Sequence, residues 1–362
     1  MTRFNRDTYI ASANRRNKCQ CCPEKSKGKK KSSVGITFNS SNGRKVVSVP
    51  VETVTFDAPA MTTLLSDAGD GLTKTDIIEI NLPNVTTLGG SPFQNCTSLI
   101  SVCLENATSI ANSAFKGCSS LREVNLPKLS TLQDKVFEDC TFLSTVSVPE
   151  VTEIRKNTFS GCAFMTKFSG PKVTTITADG TGTGPGKGPF VGCVSLREID
   201  LPELTDLTLF TLHISSAVLT TVCIPKVGTI PDGCFDGLVN LISVDASSAT
   251  TLGEECFKNC YSLTSVDTRM VNTLDVACFE NCHSLKKADF PLMGDTNIGE
   301  STFKNCWGLL NINFPEFEGD IGDEAFRNCI LLKKAEFPSR TDASDIGTDA
   351  FTGCHSLETI VA

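Results

Sequence analysis

The chain has 362 residues, of which 40% are hydrophobic and 20% charged, with 27 Gly, 22 Phe and a formal net charge of −8. That composition excludes a collagen-like or wholly disordered chain and is sufficient for a buried core. No apolar run reaches the ~18 residues of a membrane span, and the opening MTRFNRDTYIASANRRNKC lacks the apolar centre of a secretory signal.

The charge is unevenly placed. Residues 1–46 hold 12 Lys+Arg against Asp7 and Glu24, a surplus of +10, which leaves −18 for the remainder. Residues 1–33 carry Arg15, Arg16, Lys18, Lys25, Lys27, Lys29, Lys30 and Lys31 with almost no apolar pattern, and read as a basic flexible arm that anchors the chain to an anionic partner. An anionic surface or an acidic protein suits the arm better than nucleic acid, since its aromatics are confined to Phe4 and Tyr9. Cys19, Cys21 and Cys22 also lie here; three thiols without a fourth ligand make a poor metal site, and Thr at position 2 does not support myristoylation. Residues 34–76 differ: Val47, Val49, Val51, Val54 and Phe56 alternate as strands do, and can cap the N-terminal end of the remaining chain.

From residue 77 onward the chain is a repeat. Aligned on the Leu of segments such as NCTSL and NCYSL, equivalent positions run from Ile77 through Leu99, Leu121 and Leu143 to Leu357, thirteen in all, at intervals of 22 to 25 residues with one of 31. In the unit from Leu121, Val124 and Leu126 alternate with Glu123 and Asn125 as in a half-buried strand, and Pro127 ends it because proline cannot donate to a ladder. The later Val136-Phe137-Glu138-Asp139-Cys140 reads as a short helical turn. Phe fills the inward position in eleven of twelve windows, with His213 the exception, so a Phe stack is expected as the spine. The 31-residue interval contains TGTGPGKGP, read as a Gly-rich loop insertion within residues 177–189. It fails as a phosphate loop, having Thr181 where Gly is needed and Gly188 where Ser or Thr is needed.

The pattern L-x-x-V-x-L-P-x-V-T-x-I-G-x-x-A-F-x-N-C-x-S, strongest in IGDEAFRNCILLKKAEFP at 321–338 and weakest at 204–224 where His213 and Ser216 replace Phe and Cys, resembles the BspA-like class of leucine-rich repeats over residues 77–362. The expected fold class is therefore α/β: a right-handed leucine-rich-repeat solenoid with one short parallel strand and a short helical turn per coil of ~22–25 residues, about thirteen strands in total. The resemblance implies a surface for binding proteins or other surfaces, commonly in adhesins and surface antigens, and no catalytic residues.

Ten cysteines, at 96, 118, 140, 162, 193, 260, 282, 306, 329 and 354, share one repeat position and read as free, buried thiols, consistent with a reducing compartment at synthesis. The pairs Cys256/Cys260 and Cys278/Cys282 have zinc-like spacing, but Cys256 and Cys278 take the Ala position of the repeat and no acid or His stands at ligand spacing. His283 and His355 directly follow Cys282 and Cys354, yet an inward Cys and its neighbour point apart, so no nucleophile–base pair is expected. No catalytic, metal or cofactor site is assigned.

The outward strand row includes Asp200, Asp245, Asp267, Asp289 and Glu336, a candidate acidic binding row. Asp245, Asp267 and Asp289 are expected on adjacent strands ~4.8 Å apart, where solvation alone tolerates the repulsion of about 1 kcal/mol per pair. A basic partner or a cation is the functional alternative to a solvated face. The sequence thus reads as a non-enzymatic repeat scaffold for protein or surface binding, anchored to a larger body by its arm. The second reading is a structural or decoration component of a large assembly such as a virus particle. Its expected location is the cytoplasm or an intracellularly assembled particle, with surface display left open.

Overall fold

The computed structural model describes residues 55–57, 63–64, 77–177, 188–207, 218–337 and 346–361. The basic arm with its eight named cations, most of the expected cap, positions 178–187 of the Gly-rich loop, His213 and Ser216 lie outside the described residues.

The described residues form a β-solenoid. Two residues after each aligned position a short strand begins, and its middle side chain turns inward, as Ile80, Val146, Phe168 and Ile312 do. A proline such as Pro83, Pro149, Pro202 or Pro315 stands just beyond and stops the strand by removing the next donor. Stacked coil on coil, these strands pair in parallel without exception, in sheets of four, six and four strands from Thr55–Asp57 to Thr359–Val361. The row begins one strand before the first aligned position: Phe56 stands in register with Ile80, inside the segment expected to be a cap.

A second, two-residue row runs through the same coils, as in Thr87–Leu88, Ser109–Ile110 and Thr131–Leu132, also parallel. It continues through single bridges from Leu274 to Ile298, Ile321 and Ile346. The expectation of one strand per coil and about thirteen strands is thereby corrected: the described residues hold 23 strands in two rows.

The expected helical turn is corrected as well, since the described residues contain no helix. The reason lies in left-handed residues that flank the spine Phe, on both sides in nine of the eleven coils and on the C-terminal side alone at Phe93 and Phe190. Around Phe137 these are Lys135 at φ 59° and Asp139 at φ 62°. Neither can continue an α-helix. Between them, the N–H groups of Lys135, Phe137 and Asp139 reach Lys156, Thr158 and Ser160 of the next coil, at 3.3, 2.9 and 2.7 Å. A helix would have used those donors internally; here they tie coil to coil.

Inside, Phe93, Phe115, Phe137, Phe159 and Phe190 stack at 5.6 to 5.8 Å, and Phe235, Phe257, Phe279, Phe303, Phe326 and Phe351 at 5.1 to 5.4 Å. Rings of this size dominate the apolar burial of each coil, and a coil exposes core unless its neighbours cover it.

Candidate functional site

The strand face presents the acidic row, and its members differ in what they meet. Asp200 accepts a hydrogen bond from the Ser169 hydroxyl at 3.1 Å, and Cys223 separates it from Asp245 in register. Asp289 accepts from the Asn313 amide at 2.9 Å, and Asn313 separates it from Glu336, which is paired with Lys334. Asp267 is held by Arg269, with the guanidinium NH2 2.6 Å from Oδ2, and this contact draws its carboxyl below the usual carboxylate range. Asp245 makes no ion pair or side-chain hydrogen bond among the described residues.

Asp245, Asp267 and Asp289 do not share one ladder. The strand Ser265–Val266 stops before Asp267, and the sheet divides between it and Lys287–Asp289. Here Thr268 and Arg269 stand where Leu126-Pro127 and Leu201-Pro202 end their strands. Thr268 Oγ1 donates to the Asp289 carbonyl at 2.6 Å, a link that the backbone N–H of the equivalent residue makes elsewhere, as Phe290 does to Asn313.

On the turn side, the ten repeat cysteines are free thiols. Nine donate through Sγ to the carbonyl of a spine Phe one coil earlier, from Cys118 on Phe93 to Cys354 on Phe326, at 3.1 to 3.2 Å. Burial pushes most of these thiols up, Cys193 to about 12, whereas the hydrogen bond with Cys329 draws Cys354 down. Cys256 and Cys278 touch each other, Sγ to Sγ 3.2 Å, across coils. No group of three or more His, Cys, Asp or Glu placed to hold a metal ion occurs among the described residues.

The residue before each repeat Cys, or before Leu238 that takes its place in one coil, is left-handed: Gly at 117, 161, 192, 237 and 353, Asp at 139, and Asn at 95, 259, 281, 305 and 328. These are the residue types that reach this region at least cost. Four of the asparagines add a ladder, each amide donating to the side-chain oxygen of the one before: 281 to 259, 305 to 281 and 328 to 305, at 2.8, 2.8 and 2.9 Å.

The residue after the Cys points out, and here the structure brings together a cluster that sequence reading passed over. Tyr261, His283 and Trp307, from three successive coils, stack at 4.7 and 3.8 Å with their planes within 3°. Tyr261 and Trp307 remain 43% and 45% exposed, so the stack is a surface feature and not core. Partial burial lowers the His283 pKa below the ordinary imidazole value. His283 turns to this stack while Cys282 turns to the Phe257 carbonyl, so the two do not form a dyad. The available signal was positional: Tyr, His and Trp come directly after the Cys of consecutive units.

Two rows of parallel strands, an inward Leu and Phe per coil and a turn closed by Asn-Cys define a leucine-rich-repeat β-solenoid. The chain belongs to the BspA type leucine rich repeat region family, whose profile matches in six copies over residues 71–180, 165–286 and 272–362. Among solved structures it is similar to a leucine-rich repeat protein from Bacteroides ovatus, at 21% identity over 90% of this chain and 91% of that one, TM-score 0.42. It is similar also to a leucine rich cell surface protein from Faecalibacterium prausnitzii, at 21% identity over 85% and 86% of the two chains, TM-score 0.33. An internalin from Listeria monocytogenes aligns at 14% identity over 83% and 86%, TM-score 0.38. Comparison with curated protein sequences finds no match. No helix among the described residues is long and apolar enough to cross a membrane.

Proposed function

We propose that the protein is a non-enzymatic binding scaffold whose solenoid presents side chains to a macromolecular partner, and whose basic N-terminal arm anchors it to a larger anionic body. The observation that carries this reading is the register: parallel pairing lines up equivalent outward residues on every coil, so chemistry repeats along a surface rather than converging in a pocket. The charge split supports the anchoring half, because a +10 segment beside a −18 body is drawn to anionic targets. Its own acidic row begins at Asp200, six strands beyond Thr55–Asp57, and ends at Glu336, twelve strands beyond, ~29 to ~58 Å at ~4.8 Å per strand. Within the row, Asp245 is the member best able to meet a basic partner, and Asp267 reaches one only by releasing Arg269.

Size-exclusion chromatography of native source material tests the reading. The scaffold should co-elute with a larger body at low salt and move to its monomer volume as salt rises. A monomer at every ionic strength would contradict the anchoring. Co-elution at fixed stoichiometry, insensitive to salt, would favour a structural component of that assembly.

A further inference from the structure

Twelve large hydrophobic side chains are exposed among the described residues, and nine of them lie on one line: the short segment that joins the repeat Cys to the next strand. Two clusters mark this ridge. Phe142 and Phe164 stack at 4.8 Å in the N-terminal half, and Tyr261, His283 and Trp307 stack in the C-terminal half, continued by exposed Ile330 and Leu331. The backbone fixes their alignment, with Ser284 N–H on the Tyr261 carbonyl at 3.1 Å and Gly308 N–H on the His283 carbonyl at 3.0 Å. Gly308 is required there, because a Cβ would stand 2.6 Å from the His283 carbonyl oxygen. The rings turn their faces to one another and their edges outward, which leaves little flat face for a sugar or a base.

The charges beside the C-terminal cluster are unlike the rest of its coils. Lys258, Lys304, Arg327 and Lys334 are all ion-paired to acids of this chain. Lys286, Lys287 and Lys333 have no ion pair among the described residues, although the body as a whole is strongly acidic. Lys286, Leu310 and Lys333 form a column next to the ring stack, since the Leu310 N–H meets the Lys286 carbonyl at 3.1 Å and the Lys333 N–H meets the Leu310 carbonyl at 3.0 Å. The sheet divides beside Lys287, between Ser265–Val266 and Lys287–Asp289.

We propose that the ridge from Tyr261 to Leu331 docks a protein segment in which carboxylates alternate with apolar side chains, the carboxylates meeting Lys286, Lys287 and Lys333 and the apolar groups meeting the ring edges. This rests on the binding-scaffold reading and moves the docking site from the strand face to the ridge. Apolar contact supplies the affinity and the unpaired lysines select for acid.

The chain's one tryptophan makes the test specific, because Trp307 is that residue. The full-length protein is titrated with a peptide alternating Glu with Phe and Leu, and with the same peptide carrying Lys for Glu. Trp307 emission reports on the ridge, while anisotropy of a labelled copy reports binding anywhere. The acidic peptide should blue-shift Trp307 emission to saturation, the Lys peptide should not, and Lys286→Glu with Lys333→Glu should raise half-saturation at least tenfold with an unchanged circular dichroism spectrum. An anisotropy change without an emission change would place binding on the arm or elsewhere, overturning the ridge while leaving the scaffold reading intact. Equal response to both peptides, equal affinity in the double variant, or no binding in either readout would also overturn it.

Discussion

The thiol of Cys282 lies 3.1 Å from the carbonyl oxygen of Phe257, one coil earlier, and the same link recurs through most of the solenoid. The cysteine thus fills a tight apolar position and satisfies a turn carbonyl with one side chain. Cys282→Ala should cost about 1–3 kcal/mol, from the lost volume and the unpaired carbonyl together. Cys282→Ser, which keeps a donor, should cost less than Cys282→Ala; urea unfolding midpoints decide, and the reverse order would show that apolar volume alone sets the residue.

Reactivity is governed by the same burial. Of the repeat set, Cys354 is half-exposed and its thiol is drawn down by the hydrogen bond with Cys329, while burial pushes up Cys140, Cys162 and Cys306. A thiol-specific reagent on the native protein should therefore label Cys354 first of the ten, with the buried members appearing only on denaturation. Rapid native labelling of Cys140 or Cys306 would contradict the buried placement.

Asn305 combines a left-handed backbone, φ 61°, with amide hydrogen bonds to both neighbouring coils. Asn305→Gly removes the bonds but tolerates the backbone, whereas Asn305→Ala loses the bonds and adds roughly 1 kcal/mol of strain. Thermal or urea unfolding should rank wild type above Gly and Gly above Ala.

Phe279 is buried between Phe257 and Phe303 at 5.3 and 5.4 Å. Phe279→Ala should cost about 3–5 kcal/mol, and because each coil touches only its neighbours, amide exchange should rise around that coil and not at the N-terminal end. Uniform loss of protection along the chain would show cooperativity beyond nearest neighbours.

These positions also show how far sequence could carry the fold. The aligned Leu, the inward Phe and the terminating Pro each impose one backbone event per coil, so the strand row was legible from Leu121 to Pro127. The second row was not, because Thr131–Leu132 is too short to show a period. The turn around Phe137 was read as helical since its residue types suit a helix; only the run of Gly, Asp and Asn before successive Cys residues reveals a left-handed position. The acidic row could be located but its partners could not, as Asp267 is neutralised by a neighbour two residues away and the sheet divides at Thr268.

His283 supplies a pH signal. Its folded pKa lies below the ordinary imidazole value, so between that value and the folded pKa the unfolded chain binds the proton first. Falling pH through the region below about 6.5 should then reduce stability, which is restored as pH rises. Protonated imidazole stacked on Trp307 should also quench its emission with a midpoint below about 6.5, and His283→Ala should abolish that transition. A midpoint at or above the ordinary value would mean the ring is not partly buried in the stack.

The central claim, a binding scaffold anchored by its arm, meets its most direct test in sedimentation velocity with the isolated anionic body from native material. The full chain and a chain lacking residues 1–33 are compared at low and physiological salt. The account predicts that truncation leaves the solenoid's melting unchanged while abolishing a salt-sensitive association with the fast-sedimenting body. A truncated chain that still sediments with that body, at the same salt dependence, would contradict it.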